Sequence, residues 1–223
     1  MARLVGKSSA SGRDNAAEVT DSGALKVDIG SATLSVTADG VEVKNDAGNP
    51  IPVSDNSSSL TIDGRAYRAA VTITRPSNTT TYTAGDVVGD TGGSAILTLS
   101  NIGPSGGYVL VQSVSLVFSD SAVISNMGVF RLHFYQASPT AIADNAAFDL
   151  VSGERATYMG YVDIPTPLDF GSSLYTQVDY PGRLIKLASA STTLFAELET
   201  RGGYQPASAS TIEVRVATLE AGL

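Results

Sequence analysis

One histidine, His133, stands in the 223-residue chain. Imidazole is the side chain whose ordinary pKa lies nearest neutrality, so any acid–base step by imidazole runs through that residue. Such a step needs a partner to take or orient the proton. His133 sits between Arg131 and Tyr135 on an alternating run, residues 129–136. Strand spacing sends Arg131, His133 and Tyr135 one way and Phe130, Leu132 and Phe134 the other. The polar set is therefore expected to face solvent or a contacting protein, not to do catalysis. Glu197 and Glu199 are the nearest approach to the paired carboxylates of sugar hydrolysis. They share one face of a strand with Phe195, and solvation of an exposed face accounts for both.

Three further motifs lead nowhere chemically. Gly89-Asp90-Thr91-Gly92-Gly93 differs by one residue from the nucleophile loop of trypsin-like serine proteases, but Thr91 occupies the nucleophile position. The histidine also follows it instead of preceding it, so a glycine-dense turn is the expectation. Asp90-Thr91-Gly92 and Asp21-Ser22-Gly23 could supply two acids sharing a proton. That arrangement needs an apolar strand leading into each loop, and Gly89 and Thr20 stand there. Asp144, Asn145, Asp149, Asp163 and Asp169 offer hard oxygen ligands without the dense spacing of a calcium loop; capping and surface solvation are expected. Asn56-Ser57-Ser58 and Asn78-Thr79-Thr80 fit the glycosylation pattern and read as polar loops.

Composition narrows the classes. Cysteine is absent, which removes disulfides, thiol nucleophiles and thiolate metal sites; no cofactor is expected. A formal charge of -8 repels phosphate backbones, so nucleic acid is not an expected partner. Apolar runs are strand-sized, far short of the roughly 20 residues of a membrane helix, and residues 1–7 lack the apolar stretch of a secretory leader. No membrane partner is expected. With 22 glycines and few lysines, the chain favours short strands joined by turns.

The elements that position these residues fall on two sides of a change in character near Asp63-Gly64. Residues 1–63 carry no aromatic side chain and cannot close a core alone, so an extended arm that depends on a partner is expected. Alternation at residues 25–29, 34–36 and 41–43 gives short strands there. Leu25, Val27, Ile29, Leu34, Val36, Val41 and Val43 are the expected contact residues, added to a neighbour's sheet edge through backbone bonds. Residues 1–12, rich in Ser and Gly, are expected to be ordered only by a partner. From residue 64 on, the pattern gives about nine strands at hairpin-like spacing: 67–75, 95–99, 110–118, 129–136, 158–164, 174–180, 184–187, 194–198 and 212–216. One helical turn is expected over residues 140–149, packed by Ile142, Ala146 and Phe148. The fold class is all-β: an antiparallel, jelly-roll-like sandwich with an extended N-terminal arm.

Nine tyrosines and no tryptophan favour protein contacts over a sugar-stacking platform. Two stretches carry a resemblance. The block FRLHFYQASPT (130–140) with AIADNAAF (141–148), and the block TLFAELETRGGYQPAS (193–208) ahead of residues 211–216, resemble structural proteins of tailed phages, often head or decoration proteins. The resemblance covers residues 64–223 and brings no catalytic residues. It implies a non-enzymatic capsid decoration or cement protein on the virion exterior, assembled in the bacterial host cytoplasm. A homotrimer where capsomers meet is implied, bridging subunits of the major capsid protein. A receptor- or carbohydrate-binding module of a tail fibre or spike is the alternative.

Overall fold

The computed structural model describes residues 65–93 and 95–222 in full, and the backbone of three short strands before them. The chain divides into two units, Met1–Ser58 and Ser59–Leu223. In the first, β1 (Leu4–Lys7), β2 (Asp14–Val19) and β3 (Leu25–Lys26) form an antiparallel meander, with Val5 opposite Ala16 and Glu18 opposite Lys26. β1 falls within the first dozen residues, where order without a partner was not expected. Its backbone groups find their partners on β2 of the same chain. β3 covers the first two residues of the expected 25–29 strand; the expected strands at 34–36 and 41–43 lie outside the described residues.

The second unit holds eleven strands: β4 (Ala66–Thr74), β5 (Val87–Val88), β6 (Leu97–Leu99), β7 (Tyr108–Phe118), β8 (Phe130–Tyr135), β9 (Tyr158–Ile164), β10 (Leu168–Asp169), β11 (Leu174–Asp179), β12 (Leu184–Lys186), β13 (Leu194–Thr200) and β14 (Thr211–Ala221). Each of the nine strands expected from residue 64 on is present. Added are the two-residue β5 and β10, too short to show alternation. The expected helical turn at 140–149 is not formed; the only helix among the described residues is a single 3-10 turn, Ser152–Glu154.

Two antiparallel sheets result. The first has the order β10-β11-β7-β14-β4 with β12 also on β7; the second has the order β5-β13-β8-β9 with β6 also on β13. Counting β5/β6 as one interrupted strand, and β11/β12 as another with β10 as its edge extension, the chain reads as eight strands. Strand one pairs with eight (β4 with β14), two with seven (β5 and β6 with β13), three with six (β7 with β11 and β12) and four with five (β8 with β9). A long hairpin with those four pairings, rolled so that its pairs alternate between sheets, is a jelly roll.

Inner faces follow the alternation. Ile73, Val114, Leu116, Phe118, Ile212, Val214 and Val216 of the first sheet meet Leu97, Leu99, Phe130, Leu132, Phe134, Leu194, Ala196 and Leu198 of the second. Phe118 and Phe130 touch across the gap at a centroid distance of 5.3 Å. Outer faces differ sharply. β4 alternates between buried and exposed residues, whereas β8 and β13 are buried on both sides over most of their length. The outside of the second sheet is covered.

Candidate functional site

The cover is the connection between β8 and β9, residues 136–157, which folds back across the second sheet. It is pinned to β5 and to Gly85 just before it by backbone bonds: Val87 donates to Ala146, Asn145 donates to Val87, and Phe148 donates to Gly85, at 2.8–2.9 Å. This pinning is why the apolar residues Ile142, Ala146 and Phe148 do not form a helical turn.

Under the cover lies the polar set read from the sequence. His133 Nε2 lies 2.8 Å from Glu199 Oε2 and Nδ1 lies 2.9 Å from the Tyr158 hydroxyl. The Phe148 ring stacks on the imidazole at 3.8 Å with an interplanar angle of 12°. Glu199 accepts a second bond from Arg201 at 2.7 Å. Burial pushes the Glu199 carboxyl up, but hydrogen bonds from His133 and Arg201 outweigh it and hold the pKa below its usual value. Both imidazole nitrogens are thus occupied, and His133 is only 3% exposed. Burial and the Phe148 ring stacked on one face leave the imidazole no open side toward solvent.

The expectation of a solvent-facing strand face is corrected here: His133 and Tyr135 are buried within the chain, and only Arg131 reaches the surface. Arg131 forks onto Asp163 at 2.7 and 3.1 Å and lies 3.8 Å from the Tyr161 ring centroid. Glu197 and Glu199, expected to be solvated, are also buried. Alternation placed all of these outward from the core correctly; a covering connection of over twenty residues leaves no periodic trace. Glu197 is the outlier. Neither carboxylate oxygen makes a hydrogen bond, and the nearby Tyr135 hydroxyl is likewise unpaired. Burial pushes the Glu197 carboxyl up to about 7; the Tyr135 hydroxyl and the Ile142 amide, close by but not aligned for hydrogen bonds, offset part of that rise, and Glu154 adds to it.

A second buried cluster was not anticipated from sequence. Arg75, fully buried just after β4, donates to the Tyr82 hydroxyl at 2.6 Å, to the Ala207 carbonyl at 3.2 Å and to Asp144 at 3.3 Å. Asp144 also accepts from Tyr82 and from the Gly89 amide. Asp144 is therefore an internal ion-pair partner, not the solvated or metal-ligating acid the sequence offered. No group of three or more potential metal ligands occurs among the described residues. The Gly89–Gly93 stretch is a turn, with Asp90 accepting from Thr91 and from the Gly92 amide. Of the expected contact residues in the first unit, Leu25 lies in β3, while Val27, Ile29, Leu34, Val36, Val41 and Val43 lie outside the described residues. Among the described residues no helix is long and apolar enough to cross a membrane.

No family model and no curated protein matches the chain. Solved structures that share its shape in part include a chain of the native virion of Kashmir bee virus, at 14% identity over 98% of this chain and 92% of that one, with a TM-score of 0.31. Chains of the Israeli acute paralysis virus particle (14% identity, 92% and 90% covered, TM-score 0.29) and of mud crab dicistrovirus (14%, 87% and 90%, TM-score 0.30) are similar to the same degree. At these TM-scores the fold assignment rests on the strand pairing above.

Proposed function

We propose that this protein is a structural component of a virion, a capsid decoration or cement protein whose jelly-roll body bridges subunits of the major capsid protein on the head of a tailed phage. The observation that carries the reading is the eight-strand jelly roll itself, an architecture used by viral coat domains among others, in which the groups capable of chemistry are locked away. A fold does not fix a function, so the state of those groups decides. His133 and Glu199 are spent on one another under a cover, and the Arg75–Tyr82–Asp144 cluster ties loops together. The two resembling sequence blocks fall on β8 with its covering connection and on β13 with the loop that follows, the parts that make this closed face.

Large apolar side chains left in water support a contact role. Leu168, Phe170, Tyr180 and Leu184 lie on or beside the short strands β10, β11 and β12 along one border of the first sheet, and Tyr180 is 78% exposed. Such side chains mark interaction surfaces when they cluster. In this reading the body works as a homotrimer and residues 1–63 engage neighbouring coat subunits by strand addition, through Leu25, Val27, Ile29, Leu34, Val36, Val41 and Val43. Three arms on one trimer raise effective concentration, so contacts weak singly become tight together.

The test compares the full chain with residues 64–223 alone, each added to phage heads that lack the protein. The body is expected to stay folded by circular dichroism and to lose head binding by at least about a hundredfold through the lost multivalency. Undiminished binding by residues 64–223 would overturn the role of the arm. Failure of the full chain to bind any head would overturn the reading altogether.

A further inference from the structure

The open outer face of the first sheet carries a feature that the capsid reading does not use. On β4, β14, β7 and β11 the outward residues of adjacent strands come into rows. Arg215 faces Ser115, which faces Gln177; Ala217 faces Arg68 on one side and Ser113 on the other. Small residues in the middle and long ones around them leave a trough of about 290 Å³, floored by Ser113, Ser115 and Ala217 and walled by Arg68, Arg215, Tyr175 and Gln177. That is the lower end of the size of small-molecule sites.

Part of the trough's hydrogen-bonding capacity is unused. The Ser113 and Ser115 hydroxyls make no hydrogen bond within the described chain, Arg68 has no ion-pair partner, and Arg215 Nε is buried and unpaired. Two acids beside the trough are already engaged: Glu213 accepts from Arg215 Nη2 at 2.5 Å, and Asp179 accepts from the Gln177 amide. The Glu213 carboxyl is held below its usual range chiefly by Arg215, with a lesser contribution from Arg68, so both guanidiniums act within one small field. Tyr175 is fixed by its bond to Gln177 and by an edge contact with the exposed Phe170, ring centroids 5.7 Å apart. Two cations, two free hydroxyls and an aromatic wall call for a ligand with an anionic group, several oxygen acceptors and an apolar ring face. In a chain of charge -8, two guanidiniums sharing the single carboxylate of Glu213 leave this trough with a local positive excess.

We infer that this trough binds an acidic sugar, a hexuronate or a glycan residue bearing a carboxylate. The guanidiniums of Arg68 and Arg215 receive the carboxylate, the serine hydroxyls meet the ring oxygens, and Tyr175 covers a sugar face. The inference stands apart from the capsid reading, and neither depends on the other.

The experiment is a titration of the isotope-labelled full chain by amide NMR with glucuronate, glucose and acetate in parallel. Glucuronate is expected to shift the amides of Ser113, Ser115, Gln177 and Arg215. Acetate should bind at least about tenfold more weakly, a difference of one pocket contact or more, and glucose should leave those amides unmoved. R68Q should weaken glucuronate at least about tenfold, and A217L, which fills the floor, should abolish binding; unfolding midpoints establish that both variants are folded. Equal binding of glucose and glucuronate, equal binding of acetate and glucuronate, undiminished binding by the folded variants, or no shift with glucuronate would each overturn the assignment.

Discussion

Glu197 shows how much one side chain can be read from sequence. Its direction was legible, because β13 alternates and Leu194, Ala196 and Leu198 point into the core. Its burial was not, because the cover comes from residues more than forty positions earlier. With its carboxyl pushed up to about 7 from 4.5, the folded chain holds a proton more tightly than the unfolded chain does. The associated stability is fully present below about pH 4.5 and is lost as pH rises through 7, a change of about 3 kcal/mol. Glu199 works with the opposite sign: its carboxyl is held low, so its contribution is present above its ordinary pKa and lost as pH falls further. Replacing Glu197 by Gln keeps the shape and removes the titration. E197Q is expected to gain on the parent chain between pH 4.5 and pH 7, by up to about 3 kcal/mol at pH 8, in urea unfolding followed across pH. A difference that stays flat with pH would show that Glu197 carries its charge in the fold without penalty.

At the scale of elements, the long strands were read correctly and the connections were not. Strands such as β7 and β14 announce themselves through period two; β5 and β10, at two residues each, have no period to show. The connection over residues 136–157 was misread because Ile142 and Ala146 stand at helical spacing, while their surroundings are set by β5. That connection, the loop after β4 and the loop before β14 are fastened together by Arg75, Tyr82 and Asp144. Sequence gave no sign of this, since the three residues are scattered over seventy positions. Removing one partner of a buried ion pair leaves the other charge stranded, at about 3–5 kcal/mol. D144A is expected to lower stability by that amount, measured by urea unfolding. R75M, which removes the stranded cation and keeps much of its volume, should restore part of the loss when combined with D144A. A D144A chain as stable as the parent would mean that water reaches Arg75.

For the molecule as a whole, the sandwich class was legible from nine alternating runs, while the order of strands was not, because pairing between distant segments leaves no local signal. The order has its own consequences. β14 lies between β4 and β7, so its eleven residues complete both neighbours. Residues 64–210, lacking that strand, are expected to give neither a cooperative unfolding transition nor native near-ultraviolet dichroism, whereas residues 64–223 should give both. A folded shorter fragment would show that the two halves of the first sheet can close on each other directly.

The pairing of first strand with last also sets a clock. Thr74 and Thr211 are register partners, so β4 emerges from a ribosome 137 residues before its mate does. At about 5–20 residues per second, that is on the order of ten seconds. Throughout that interval the β4 edge that β14 will occupy has no strand of its own chain to pair with. A cell making many copies at once therefore favours nascent chains kept apart, or shielded by a holding chaperone, until β14 has emerged.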